Sequence, residues 1–152
     1  GVAHITNHAV SKITLFLCAG SIYVSTRKTE ISQFSGLARR MPCTMAAFTL
    51  ASLSIVGIPL TSGFVSKWYL ALGTVDSGRY VLLAVLLCRS LLNAAYLWPI
   101  VFKAYFAKEE SPPTEEIREN PWMVAPLVAT ALGSLLLGLF PGPILELAGR
   151  IF

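Results

Sequence analysis

Apolar residues gather into four long runs along this chain, with most charges confined to the stretches between them. The runs cover about Ile5 to Ser25, Pro42 to Leu72, Tyr80 to Phe106 and Pro121 to Phe140. A straight helix crosses the hydrocarbon of a bilayer in about 20 residues. Each run therefore predicts a transmembrane helix, and the chain reads as an all-α integral membrane protein. The second run is about ten residues too long for one straight crossing, and Gly57, Pro59 and Gly63 interrupt it. Proline removes an amide donor and clashes with the preceding turn, while glycine permits unusual dihedrals. The second span is thus expected to be discontinuous. Pro99 predicts a kink near the end of the third.

Composition agrees with the bilayer. Of 152 residues, 55% are hydrophobic and 13% charged, where a soluble domain carries about 25% charge; mean hydropathy is +0.66. Cys18, Cys43 and Cys88 lack metal-ligand spacing and read as small buried hydrophobes. The chain begins at Gly1, shows no signal-peptide pattern and runs straight into a helical stretch. Residues 1–152 are accordingly expected to be the C-terminal part of a larger membrane protein.

Loop charges orient the spans. Arg27, Lys28, Arg39 and Arg40 lie between spans one and two, and Lys103, Lys108 and Arg118 between spans three and four. The opposite side has only Arg79 and Arg150. The positive-inside rule then puts the two longer loops in the cytoplasm or matrix, and both ends of the chain on the positive side. The acidic stretch Glu109, Glu110, Glu115, Glu116 and Glu119, with Pro112 and Pro113, reads as a solvated connector. The net charge of +4 follows from loop and intramembrane cations and does not argue for nucleic acid.

Five cationic or titratable residues remain within the spans: His4, His8, Lys12, Lys67 and Arg89. A charge at the bilayer centre costs from about 2.5 to over 10 kcal/mol, so such residues mark functional sites by default. His4, His8 and Lys12 are spaced i, i+4, i+8 and predict a shared helix face. Lys67 follows the interruption of the second span, where irregular backbone is tolerated only inside protein or along a watery cavity. Histidine titrates near neutrality, and a low-dielectric site disfavours a charged ammonium. Together these residues suggest a proton relay. Surface-lying histidines and snorkelling lysines are the structural alternatives. Arginine stays charged, so Arg89 reads as a structural tie to a carboxylate or helix end, with Asn93 one turn later able to share that role. The set is wholly cationic, Glu146 being the one acid near a span, so balancing carboxylates are expected outside this chain. No metal site or cofactor is expected.

Three motifs resemble a known family. His4 to Gly20 (HITNHAVSKITLFLCAG) is similar to the "H…NHAxxKxxLFLxAG" helix of the antiporter-like subunits. These are the proton-translocating membrane subunits of NADH:quinone oxidoreductase (M-, N- and L-type) and of Mrp-type Na+/H+ antiporters. Gly36 to Pro42 (GLARRMP) resembles the family's "GLxRxMP" loop, and Leu53 to Lys67 its "LSLxGIPxxxGFxxK" broken helix. Ser90 to Ile100 looks closest to the Mrp D-type subunit. The resemblance implies a fourteen-helix fold of which these spans would be the last four. It further implies that Lys67 lies on the proton path toward the positive side, with Lys12, His8 and His4 on the polar axis leading to it. Some members carry Glu at the Lys67 position. The fourth span matches no family motif.

The leading expectation is translocation of protons, with Na+ as a second candidate ion, by a subunit working beside other membrane subunits in a bacterial or archaeal inner membrane. The alternative is a non-conducting scaffold subunit. An enzyme or redox role is disfavoured: there is no Gly-rich nucleotide loop, Cys cluster or haem-ligand pair, and any catalytic activity would belong to an assembled oxidoreductase.

Overall fold

The computed structural model describes residues 2–27, 34–59, 61–108, 119–140, 142 and 146. Lys28, the acidic stretch from Glu109 to Glu116, Arg118 and Arg150 lie outside the described residues, and so do the readings that rest on them. Among the described residues six helices follow in order: α1 (Val2–Thr26), α2 (Leu37–Arg40), α3 (Pro42–Val56), α4 (Ser62–Asp76), α5 (Tyr80–Phe106) and α6 (Pro121–Leu139). No strand occurs among the described residues. Among the described residues, three helices are long and apolar enough to cross a membrane: α1 from His4, α5 and α6. α5 continues through Pro99 to Phe106.

Local chemistry sets the helix ends. Gly36 adopts φ 71 before α2, and Pro42 opens α3 at the position where its missing N–H costs nothing. Asn120 caps α6 by accepting from the Trp122 amide at 3.1 Å. The Glu119 carboxylate accepts from the Thr44 amide in the first turn of α3 at 2.9 Å. Glu119 is therefore not part of a solvated connector as its acidic neighbourhood suggested; it ties the entry of α6 to the unsatisfied amides of α3.

The expected break in the second span is present, and α4 runs on to Asp76, beyond the expected Leu72. α3 and α4 have 15 residues each, about 22 Å apiece, so neither half crosses the roughly 30 Å hydrocarbon alone. Gly57 ends α3 in the left-handed region at φ 85, its amide donating to Leu53 O at 2.9 Å. In the first turn of α4, a Cβ built on Gly63 would stand 1.7 Å from the Ser54 carbonyl oxygen. Only glycine lets the two half-helices press together there.

α1 packs on α3 and α6, while α5 lies against α3, α4 and α2. The apolar core around Cys18, Ile22, Met41, Met45, Phe48 and Leu97 sits toward the α2 end. Near the break the interior is polar instead: Asn7, Ser11, Ser54, Ser62, Ser66 and Ser134 are all buried. Large apolar side chains cover the outside, including Leu91, Leu92, Phe106 and Leu136. Apolar outside and polar within suits a helix bundle in lipid, where small polar residues hold helices together. Of the cysteines only Cys18 is buried; Cys43 and Cys88 are exposed, against the expectation for all three. Cys43 lies in the first turn of α3, and Cys88 lies on α5 next to the exposed Arg89.

Candidate functional site: a lysine at a broken helix

A helix that stopped at Val56 would leave its last carbonyls unsatisfied. In a continued helix the Ile55 carbonyl would accept from the amide of residue 59, but that residue is proline and has none. Lys67 supplies the missing donor. Its Nζ donates to Ile55 O at 2.7 Å and to Val56 O at 3.0 Å. A third bond goes to Ser90 Oγ on α5, also at 2.7 Å, using all three ammonium protons. The ammonium therefore faces the negative end of the α3 dipole, a favourable place for a cation. It turns back into the break rather than outward toward an interface. A Cβ on Gly57 would come 3.0 Å from Lys67 Cδ, so this glycine also clears the path of the lysine stem.

α1 brings its polar face to the same place. His4 Nδ1 lies 3.2 Å from Ser66 Oγ. Ser66 spends its single proton on Gly63 O at 3.1 Å, which leaves His4 Nδ1 as the donor to Ser66. The His4 and His8 rings stack, with centroids 5.8 Å apart and planes 14° from parallel. Arg89 Nη2 stands 3.4 Å from His8 Nε2. A guanidinium only donates, so this contact requires a lone pair on Nε2 and hence a neutral His8 ring. The expected tie of Arg89 to a carboxylate or helix end is thus, among the described residues, a tie to histidine. Asn93 does not share it; its Oδ1 accepts from Tyr96 at 3.0 Å.

His4, Asn7, His8, Ser11, Ser54 and Lys67 line a small cavity, with Ile55, Gly63 and Ser66 completing its wall. The volume open to the centre of a water molecule is about 10 Å³, room for roughly one water. Asn7 donates through Nδ2 to Ser62 O at 3.0 Å, which fixes its amide orientation. Its buried Oδ1 is left without a protein partner. An orphan acceptor beside a water-sized space is the chemistry a bridging water satisfies.

Of the residues singled out from sequence, His4, His8, Lys67 and Gly63 line this cavity, and Gly57 and Pro59 shape the break beside it. Lys12 does not; it is exposed. Sequence reasoning passed over Ser90, and it missed a cluster of four serines behind the cavity. Ser11 of α1 donates to Ser54 of α3 at 2.9 Å, and Ser54 is 3.2 Å from Ser62 of α4. Ser134 of α6 reaches Ser62 at 3.1 Å, Ser54 at 3.2 Å and Ser11 at 3.4 Å.

The chain has relatives among known proteins. A sequence family described as NADH:quinone oxidoreductase/Mrp antiporter, transmembrane, matches residues 1–93. The chain belongs to this family. The matched portion of this chain holds the broken helix, the α1 histidines and the lysine; α6 lies beyond it. Similar proteins include NADH-quinone oxidoreductase subunit N of Desulforudis audaxviator, 38% identical over 149 residues, covering 90% of this chain and 30% of that protein. NADH-ubiquinone oxidoreductase chain 5 of Sus scrofa is 36% identical over 147 residues, covering 94% of this chain and 23% of that one. The Mrp complex from Dietzia sp. DQ12-45-1b contains a chain that superposes with TM-score 0.86 at 26% identity, across 98% of this chain and 36% of that chain. The present chain thus spans about a third or less of these relatives. It is part of an antiporter-like integral membrane subunit of the kind found in NADH:quinone oxidoreductase and Mrp complexes, a family whose function is proton transport.

Proposed function

We propose that this chain is part of a proton-translocating antiporter-like subunit and that Lys67 is its proton carrier on the path toward the positive side of the membrane. The observation that carries the reading is the position of Lys67: an amine at a helix break, held by three neutral acceptors and bordering a polar cavity. Neutral carbonyls and a hydroxyl stabilise an ammonium without a full counter-charge, so the proton is held but not locked in an ion pair. His4 and His8 stand across the cavity as the neighbouring exchange groups, and a water on Asn7 Oδ1 bridges the gap. Lys12 continues the axis along α1. The longer loops face the cytoplasm or matrix, and the full subunit has a fourteen-helix fold seated against other membrane subunits. The carboxylates that balance the cationic set come from those other parts, and H+, with Na+ as a second ion, is the cargo.

A scaffold role is the competing reading, favoured by the fact that the three bonds of Lys67 also make a good helix cap. Lys67→Met in the full-length protein separates them. The carrier reading expects assembly to persist while proton transport is lost; the scaffold reading expects assembly to fail. Normal transport in that variant contradicts the carrier.

A further inference from the structure

We infer that Ser134, on the helix that lies beyond the matched family region, is a positioning residue for Lys67. The inference rests on the reading of Lys67 as carrier and adds a residue to it.

Lys67 works only if the two halves of the broken span keep a fixed separation. Its acceptors Ile55 O and Val56 O directly follow Ser54 on α3, while Lys67 itself follows Ser62 by five residues on α4. Ser54, next to the acceptors, and Ser62, in the first turn of the helix that carries Lys67, thus join the two sides of the cap at 3.2 Å. Ser134 touches both, at 3.2 and 3.1 Å, and Ser11 of α1 as well. Ser134 and Ser54 are the two members of the cluster within reach of all the others, and Ser134 is the one that brings in a helix outside the broken span. Its side chain is 4% exposed and the other three are at 2% or less, so a lost hydroxyl there is not replaced by bulk water. The remaining buried residues on α6 are Leu127, Ala131 and Gly138, which offer no side-chain hydrogen bond. Ser134 is thus the polar contact by which α6 holds the break.

The consequence is mechanical. A change in the position of α6 is passed through Ser134 to Ser54 and Ser62, and so alters the fit of the Lys67 ammonium against the α3 carbonyls. Hydroxyl–hydroxyl bonds suit this task because each serine can exchange donor and acceptor roles without breaking the cluster. The separations of 2.9–3.4 Å are hydrogen-bond distances throughout, which suits a joint between helices.

The test uses the full-length protein with Ser134→Ala and Ser134→Thr beside Lys67→Met, each read as proton transport per assembled molecule across a range of pH. Ser134→Ala is expected to lower the rate about fivefold, the kinetic equivalent of one hydrogen bond. It is also expected to displace the pH profile, with Ser134→Thr restoring both. A clamp of purely structural importance would lower the yield and leave the per-molecule rate and pH profile unmoved, and that result overturns the inference. If Ser134→Ala does not assemble, Ser62→Ala removes a different hydroxyl of the cluster and is judged by the same two outcomes. Loss of transport in Lys67→Met with an unaffected Ser134→Ala defeats this inference alone; normal transport in Lys67→Met defeats the carrier reading itself.

Discussion

Lys67 completes a helix to which it does not belong: its Nζ stands 2.7 Å from the carbonyl oxygen of Ile55, the bond that Pro59 cannot make. The break and the charge are thus one feature. Proline creates the unsatisfied acceptor, glycine gives the lysine stem its passage, and the lysine satisfies the end of α3. An interrupted helix and a half-buried cation each supply what the other lacks, an acceptor for the ammonium and a donor for the open carbonyls.

Gly63→Ala should be among the most damaging conservative changes in the chain. Its Cβ would fall on the Ser54 backbone oxygen, which cannot move without opening the junction of α3 and α4. A cost of about 1–3 kcal/mol is expected for such overpacking, seen as a lower unfolding temperature of the purified protein. Gly73→Ala, with nothing within 4 Å of the new methyl, is the control and should be neutral. Equal stability of the two variants would contradict the close approach.

Ser90→Ala removes one of the three acceptors of Lys67. A hydrogen bond to a charged group contributes about 1.5–3 kcal/mol, an upper bound at a half-buried site. Transport should fall several-fold at unchanged assembly, and Ser90→Thr should recover it by keeping the hydroxyl. Wild-type rates in Ser90→Ala would mean that the 2.7 Å contact is incidental.

Glu119 gives a prediction of stability alone. Glu119→Ala leaves the Thr44 amide unpaired and should cost about 0.5–2 kcal/mol, the usual effect of losing a helix cap. Glu119→Gln keeps an acceptor oxygen while losing the charge that favours a helix N-terminus, and should cost less. Thermal unfolding ranks the two. Transport per molecule should be unchanged in both, since Glu119 is remote from the cavity.

The sequence showed its helices through run length, and the break through Gly57, Pro59 and Gly63, because those signals are local. Lys67 was legible for the same reason: a lysine following a broken apolar run is conspicuous wherever the chain goes. Lys12 follows His8 along α1 without lining the cavity, for a reason of angle. Each step of four residues turns the helix about 40°, so His4 and His8 share the cavity while Lys12, two steps from His4, has rotated to the exposed side. The serine cluster was invisible because each member is an ordinary small residue on a different helix. Ser134 lies 80 positions from Ser54, and no periodicity links them. Glu119 was hidden by its company, since an acid among acids reads as solvated until a partner amide is seen.

The measurement that reaches the central claim most directly is proton transport by Lys67→Arg in the full-length protein, normalised to assembled molecules. Arginine keeps the positive charge and can still donate to the α3 carbonyls, but it does not release its proton. If Lys67 works by gaining and losing a proton, Lys67→Arg assembles and its transport falls to background. If Lys67→Arg assembles and transports at the wild-type rate, Lys67 is a helix cap and the carrier lies elsewhere.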